Sequence, residues 1–326
     1  MQLRILSAQD IKQALPMRQA IEVMRRAFGQ LSAEQAIMPL RTRLEMDEGL
    51  LLLMPAYLKE SRELGLKMVT LWRDNPARGL PGVMALVTVF DPDTGQPVAI
   101  MNGEALTALR TGAGGGLAAD LLARPEARVV TVFGAGVQAR AQLAAVLAVR
   151  PIEEVRLIGR NPDNVARFAA EVRAWPLKLE VILPTSREAA VVEADIVITA
   201  TSSSTPVFHG QYLSPGTHVT AVGSYTPLMQ EVDEVTVKRS KIIVDSLQAC
   251  LAEAGDLLIP LEKNIITKLD LHAELGQIVN GTQLGRESAD EITLFKSVGV
   301  AVQDAAAASE VFRVAVAQNL GTVVNL

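Results

Sequence analysis

Apolar positions along the chain follow two rhythms. In the first hundred residues, helical spacing is mixed with short runs. Met17 to Leu31 puts Ile21, Met24, Phe28 and Leu31 on one stripe, which predicts an amphipathic helix. Leu50 to Met54, Leu66 to Trp72 and Val83 to Phe90 are apolar runs of strand length. The last is followed by the turn sequence Asp91-Pro92-Asp93-Thr94-Gly95 and by Pro97 to Met101, so Val83 to Met101 predicts a β-hairpin. Gly103 to Ala123 reads as a helix despite Gly112 and Gly114 to Gly116. Each glycine there costs roughly 1 kcal/mol relative to alanine, which points to a backbone or a ligand that must come close.

From Val129 onward strands and helices alternate. The apolar runs are Val129 to Phe133, Val155 to Gly159, Leu177 to Ile182, Ala194 to Thr201, His218 to Gly223 and Lys241 to Asp245. Helical stretches follow the first two, Val137 to Val149 and Pro162 to Ala174, the second opening with a proline suited to its first turn. Short unbroken apolar strands between helices predict a parallel sheet covered on both faces. Ile292 to Gln318 reads as helical again and is expected to return to the first domain. The fold class is therefore α/β: a central Rossmann-type doubly wound sheet over residues 116–292, and a second, α+β domain built from residues 1–115 and 293–326.

Composition narrows the function classes. The 326 residues are 49% hydrophobic but only 4% aromatic, so Leu, Val, Ile and Ala must fill the cores. Basic and acidic residues number 31 and 36, a net charge of −5, with no basic tract, which argues against nucleic acid. The single cysteine, Cys250, excludes an internal disulfide framework and reads as a small buried apolar residue. There is no charged segment leading into an apolar leader and no apolar run of membrane-spanning length, so the expectation is a cytoplasmic protein without a membrane partner.

The chemistry enters at Val129 to Leu143, where Gly134, Gly136 and Ala139 follow a strand and open a helix. In that setting each small residue has a purpose. Gly134 permits the tight turn, Gly136 lets backbone approach a pyrophosphate, and Ala139 lets helix pack on strand. The helix N-terminus at Val137 and Gln138 offers N–H groups to the anion. The end of the second strand distinguishes the dinucleotides: an NAD site places an acidic residue there for the ribose hydroxyls, whereas this chain has Arg160, 26 residues after Gly134. A guanidinium suits a 2′-phosphate, so NADP(H) is favoured, with NAD(H) as the alternative.

If one domain holds the cofactor, the other should present the groups for the substrate. The candidates are Arg41 or Arg43, Lys67 and Arg110. Lys67 lies inside an apolar strand, where an unpaired ammonium is costly. Arg110 adjoins the glycine-rich part of its helix. Two or three cations facing one cleft would bind a carboxylate. His209, His218 and His272 lack metal-ligand spacing, and no nucleophile elbow or P-loop is present. Hydride transfer through a nicotinamide remains.

The chain resembles the ornithine cyclodeaminase/mu-crystallin family. The resemblance is carried by MPLRTRL, LGLKMVT, ALRTGA, VFGAGVQA, AVGSYTPLMQEVD, DLHAELGQIVNG and GRESADEITLFKSVGVAVQDAAAA, and it runs over nearly the whole chain. It implies a homodimer, a substrate and dimerisation domain made from both chain ends, and Arg41, Lys67 and Arg110 gathered around a substrate carboxylate. The full expected cofactor set adds Thr111, Asn161, Thr201, Val222 and Ser224 to the turn. Ornithine cyclodeaminases and the archaeal alanine dehydrogenases of the family carry an aspartate where this chain has Tyr225, and cyclodeaminases carry a threonine where it has Gly82. Tyrosine offers no negative charge at neutral pH. The closer likeness is to the ketimine reducers, which implies NAD(P)H-dependent reduction of cyclic ketimine-2-carboxylates. The alternatives are an ornithine cyclodeaminase, an alanine dehydrogenase or a reductase of open-chain imino acids. From another class comes a non-catalytic protein that binds NADPH and a small ligand.

Overall fold

The computed structural model describes residues 1–326. The chain opens with β1 (Gln2–Leu6), α1 (Ala8–Ala14), α2 (Met17–Ser32), β2 (Ala36–Ile37), β3 (Thr42–Glu45), β4 (Gly49–Leu58), β5 (Glu63–Trp72), β6 (Val83–Phe90), β7 (Pro97–Asn102) and the long helix α3 (Gly103–Leu122). There follow β8 (Val129–Phe133), α4 (Val137–Val149), β9 (Glu154–Ile158), α5 (Pro162–Arg173), β10 (Glu180–Ile182), α6 (Arg187–Val191), β11 (Ile196–Thr199) and β12 (His218–Ala221). Next come α7 (Glu234–Arg239), β13 (Ser240–Val244), α8 (Leu247–Glu253), α9 (Gly255–Glu262), β14 (Leu271–Glu274), α10 (Leu275–Val279) and β15 (Ile292–Lys296). The chain closes with α11 (Ala301–Ala317) and β16 (Thr322–Asn325). It divides into two units, Met1–Arg110 with Val300–Leu326, and Thr111–Gly299, so one division falls inside α3.

The first unit holds a mixed sheet in the order β16-β1-β7-β6-β5-β4-β2, with β3 also paired to β4. Its hairpin β6–β7 is set by Asp91, whose side chain accepts from the N–H groups of Asp93 and Thr94, and by Gly95 in the left-handed region at φ 71°. Helices α2 and α11 pack together, and α11 lies on β4, β5 and β6. The buried stripe of α2, Ile21, Met24 and Phe28, is the one its spacing predicts.

The second unit holds a sheet in the order β10-β9-β8-β11-β12-β15-β13-β14, all of whose pairs are parallel. A core of Val130, Val132, Leu143, Val155, Leu157, Phe168 and Ile198 fills the space between strands and helices. Two glycines of α3 let α4 come close: a Cβ on Gly112 would lie 2.6 Å from the Ala141 carbonyl oxygen, and one on Gly115 would collide with the Gln142 side chain.

One expectation is corrected. Ile292 to Lys296 is a strand, seated between β12 and β13, and the helix begins only at Ala301. All five residues are buried because both faces of an inner parallel strand are covered. A short segment buried on both faces shows no one-sided alternation and cannot be told from a buried helix by periodicity. Gly299, at φ 81°, ends the connection between strand and helix.

Candidate functional site

In the first unit, a charged group is built from three distant segments. Lys67 lies mid-strand in β5 and points to the same face as Gly65. A Cβ on Gly65 would come within 3.0 Å of the Ala305 Cα, so the missing side chain lets α11 approach β5 closely. That approach brings Asp304, the preceding residue, within reach of Lys67. Lys67 Nζ lies 2.7 Å from Asp304 Oδ2, and Arg110 Nε donates to Asp304 Oδ1 at 2.9 Å. Arg110 Nη1 also donates to Gln303 Oε1 at 2.8 Å, and the Gln303 amide donates back to the Arg110 carbonyl at 3.4 Å. Lys67, Arg110 and Asp304 are 2%, 4% and 1% exposed.

Two buried cations thus share one carboxylate. Burial lowers the Lys67 pKa to about 8; the charges of Arg110 and Arg41 press the same way, and Asp304 opposes them. Arg41, half-buried between β2 and β3, therefore acts on the same ammonium. Such a group holds a surplus of positive charge and attracts a small anion, and its lysine exchanges a proton near neutral pH. Arg43 is apart from it, exposed and paired with Glu45 at 3.1 Å. Of the expected trio, Lys67 and Arg110 meet on Asp304, and the Arg41 charge acts on Lys67. Asp304 and Gln303, which orient it, were not foreseen, although a lone acid in the alanine-rich run Ala301 to Ala308 was a usable signal.

In the second unit, β8 ends at Phe133 and the chain turns at Gly134, whose φ of 115° and close approach to the Ala200 carbonyl leave no place for a side chain. Gly136 caps α4 without a side-chain hydrogen bond, and a Cβ there would meet no atom within 4 Å. Val137 is exposed, Gln138 half-buried and Ala139 fully buried against the sheet. Arg140 braces the turn, donating to the carbonyls of Ala135 at 2.6 Å and Gly136 at 3.2 Å while lying over the Phe168 ring. The open space at Gly136 beside uncapped helix amides fits a dinucleotide pyrophosphate. Arg160 is exposed directly after β9 and Gly159, and no acidic residue follows before Asp163. Asn161 caps α5, its side chain accepting from Asn164 N at 3.1 Å. The Thr111 carbonyl accepts from the Gln142 amide at 2.8 Å.

At the carboxyl ends of β11 and β12, the half-buried Thr201 and Val222 and the buried Ser224 surround a fully buried Glu231. Lys296 and Asp256, also fully buried, pair at 2.8 Å. Burial works against the lysine's charge, but the Asp256 and Glu231 carboxylates outweigh it and hold its pKa above the usual value. Burial and Asp256 push the Glu231 carboxyl upward. None of these three was anticipated, yet Lys296 carries the signal that singled out Lys67, a charge inside an apolar strand. Tyr225 is 42% exposed.

The histidines lie apart. His218 is buried between the hydroxyls of Thr293 and Thr220, each at 2.9 Å. His272 bonds the Leu284 carbonyl, and His209 is exposed. Cys250 is buried, 3.2 Å from Asp245 Oδ1. No helix is long and apolar enough to cross a membrane.

Comparison with known proteins completes the picture. The profile of the ornithine cyclodeaminase/mu-crystallin family matches residues 1–319. The chain is 38% identical over 320 residues to the Δ1-pyrroline-2-carboxylate reductase of Bacillus cereus, covering 97% of this chain and 98% of that one. Among solved structures it is similar to the Δ1-pyrroline-2-carboxylate reductase of Thermococcus litoralis in complex with NADH and L-proline, with TM-score 0.94 and 41% identity over 99% of this chain and 100% of that one. It is also similar to an archaeal alanine dehydrogenase dimer with bound NAD, with TM-score 0.92 and 35% identity over the whole of both chains.

Proposed function

The chain belongs to the ornithine cyclodeaminase/mu-crystallin family, and from that premise we propose that it is a nicotinamide-dependent imine reductase. Its substrates are cyclic ketimine-2-carboxylates such as Δ1-pyrroline-2-carboxylate or Δ1-piperideine-2-carboxylate, and its products are cyclic amino acids such as proline or pipecolate. The observation that carries the reading is the buried pair Lys67 and Arg110 sharing the single carboxylate of Asp304, with Arg41 adding a further positive charge. A small carboxylate balances that surplus. Arg110 and Arg41 bind it, and Lys67 adds charge beside the carboxylate and imine and is placed to deliver a proton.

Gly134, Gly136 and the first turn of α4 hold the dinucleotide pyrophosphate. A reduced nicotinamide on a dinucleotide held there would supply the hydride that reduces the iminium at C2. Such a substrate arrives protonated and electrophilic, so positioning contributes more than a strong base. Tyr225 lends no negative charge for an amine or an attacking water, which favours reduction over cyclodeamination. Arg160, exposed where an acidic residue would receive ribose hydroxyls, supports NADP(H) as the preferred dinucleotide.

We also propose a homodimer. Ile37, Leu44, Val83, Met84 and Leu86, all on strands of the first unit's sheet, are exposed in the single chain, and a second copy would cover them. The archaeal alanine dehydrogenase relative is a dimer.

The test is oxidation of NADPH and NADH with a panel of cyclic and linear imines. Turnover of the cyclic carboxylates is expected, and Arg110→Met should raise their KM at least about tenfold, since it removes a charge-assisted contact to the substrate carboxylate. Absence of turnover with every imine and both cofactors would overturn the reading.

A further inference from the structure

Glu231 is fully buried and accepts five hydrogen bonds. Thr201 N and Thr201 Oγ1 donate to Oε1 at 2.6 and 2.8 Å. Thr199 Oγ1, Gly223 N and Ser224 N donate to Oε2 at 3.0, 2.6 and 3.2 Å. One carboxylate therefore ties the end of β11 to the segment that follows β12. It is held in turn from behind: Asp256 Oδ1 accepts the backbone N–H groups of Glu231 at 2.6 Å and Val232 at 3.1 Å, and Asp256 Oδ2 pairs with Lys296. The chain from Gly223 to Glu231 closes on itself, with Ser224 Oγ donating to the Met229 carbonyl at 2.7 Å and Tyr225 and Leu228 left exposed.

This clamp sits at a meaningful place in the topology. In a doubly wound sheet, ligands lie beyond the carboxyl ends of the strands where the strand order reverses, here between β8 and β11. The turn after β8 suits the pyrophosphate, and the neighbouring strands β9 and β10 belong to the adenosine half. The ends of β11 and β12 are then left for the other half.

We propose that Glu231 is a positioning residue for the nicotinamide half of the dinucleotide, setting the backbone at Thr201 and Gly223–Ser224 through its five bonds. This rests on the reading that the second unit binds a nicotinamide dinucleotide. Glutamine at 231 keeps the size but puts an NH2 group where one oxygen now accepts two or three donors, so those bonds fail and the two segments shift. The turn at Gly134 to Ala139 is not among the clamp's partners.

The test compares ADP and NADH binding to the wild type and to Glu231→Gln by calorimetry, with amide hydrogen exchange as a second readout. ADP reports on the adenosine and pyrophosphate half alone. In the variant, the ADP Kd should stay within about twofold while NADH weakens by roughly tenfold or more. Exchange should quicken at Thr201, Gly223 and Ser224 and stay unchanged over Gly136 to Ala139. Equal weakening of both ligands, or of neither, would overturn the proposal. Thr199→Val removes one donor to Glu231 without changing charge, and it decides the matter if Glu231→Gln does not fold. NADH should weaken about threefold with ADP unchanged, and an unchanged NADH-to-ADP ratio overturns the proposal. Failure of the folded wild type to bind either NADPH or NADH is a different result and would overturn the dinucleotide reading itself.

Discussion

Replacing Asp304 with asparagine would strip the shared negative charge from Lys67 and Arg110. In the native group, Asp304 lies 2.7 Å from one cation and 2.9 Å from the other, and the three side chains are at most 5% exposed. The asparagine oxygen can accept from one cation, but its NH2 then faces the other as donor against donor. Removing one partner of a buried ion pair costs about 3–5 kcal/mol. The one retained hydrogen bond puts the expected loss near the lower end, about 3 kcal/mol. At roughly 2–4 °C per kcal/mol, the first unit should melt about 6–12 °C lower. Activity should change as well. Asp304 raises the Lys67 pKa, which stands at about 8 against burial and the neighbouring arginines. The protonated lysine is the form that attracts a carboxylate, so wild-type kcat/KM for the imine should fall as pH rises through about 8. In Asp304→Asn that alkaline limb should move to lower pH. The assays are thermal denaturation at neutral pH and kcat/KM against pH. A melting temperature within about 2 °C of wild type, together with an unmoved limb, would show that Asp304 does not govern the pair.

The two glycines of the dinucleotide turn should respond differently. Gly134→Ala should destabilise the second unit, because φ is 115° and the new Cβ collides with Ala200, whereas Gly136→Ala should melt like the wild type yet bind NADH at least about tenfold more weakly. Equal stability of the two variants would contradict this. His218, buried between two threonine hydroxyls, has its pKa lowered from 6.5 to about 3 by burial, with Arg286 and Arg150 adding to the effect. Its unfolded form takes up a proton first on acidification, so stability is fully present above about 6.5 and drains as pH falls towards 3. By about pH 4 the loss should be roughly 3 kcal/mol, read as the slope of unfolding free energy against pH, and His218→Gln should flatten it by about one proton. Arg160→Asp should lower the ratio of catalytic efficiencies with NADPH and NADH at least about tenfold; an unchanged ratio would leave NADP(H) preference without its basis.

Local pattern alone carried much of the fold. The stripe Ile21, Met24, Phe28 could be recognised because one helix face meets one core. The βαβ alternation after Val129 was legible because inner parallel strands are uniformly apolar. The turn at Gly134, Gly136 and Ala139 was equally open, since the three small residues stand within six positions directly after an apolar strand and at the start of a helix. Lys67 stood out because an apolar strand makes any charge conspicuous. Ile292 to Lys296 is the converse case: a strand buried on both faces runs into a helix buried over most of its surface, and neither shows the one-sided alternation that tells strand from helix.

Partners remote in sequence were beyond that reach. Asp304 meets Lys67 only because α11 returns to the first unit and lies over Gly65, a contact between segments more than two hundred residues apart. Likewise, Glu231 gathers Thr199, Thr201, Gly223 and Ser224 only once β11 and β12 are paired. For elements with one buried face or a clear βαβ alternation, the sequence by itself determined which residues are helical or extended and where charge stands in apolar surroundings, because each follows from short-range periodicity and the cost of burying a charge; Ile292 to Lys296 has neither signal. Tertiary structure alone decided which opposite charges and hydrogen-bond donors meet those buried groups, because that depends on how closely whole elements pack.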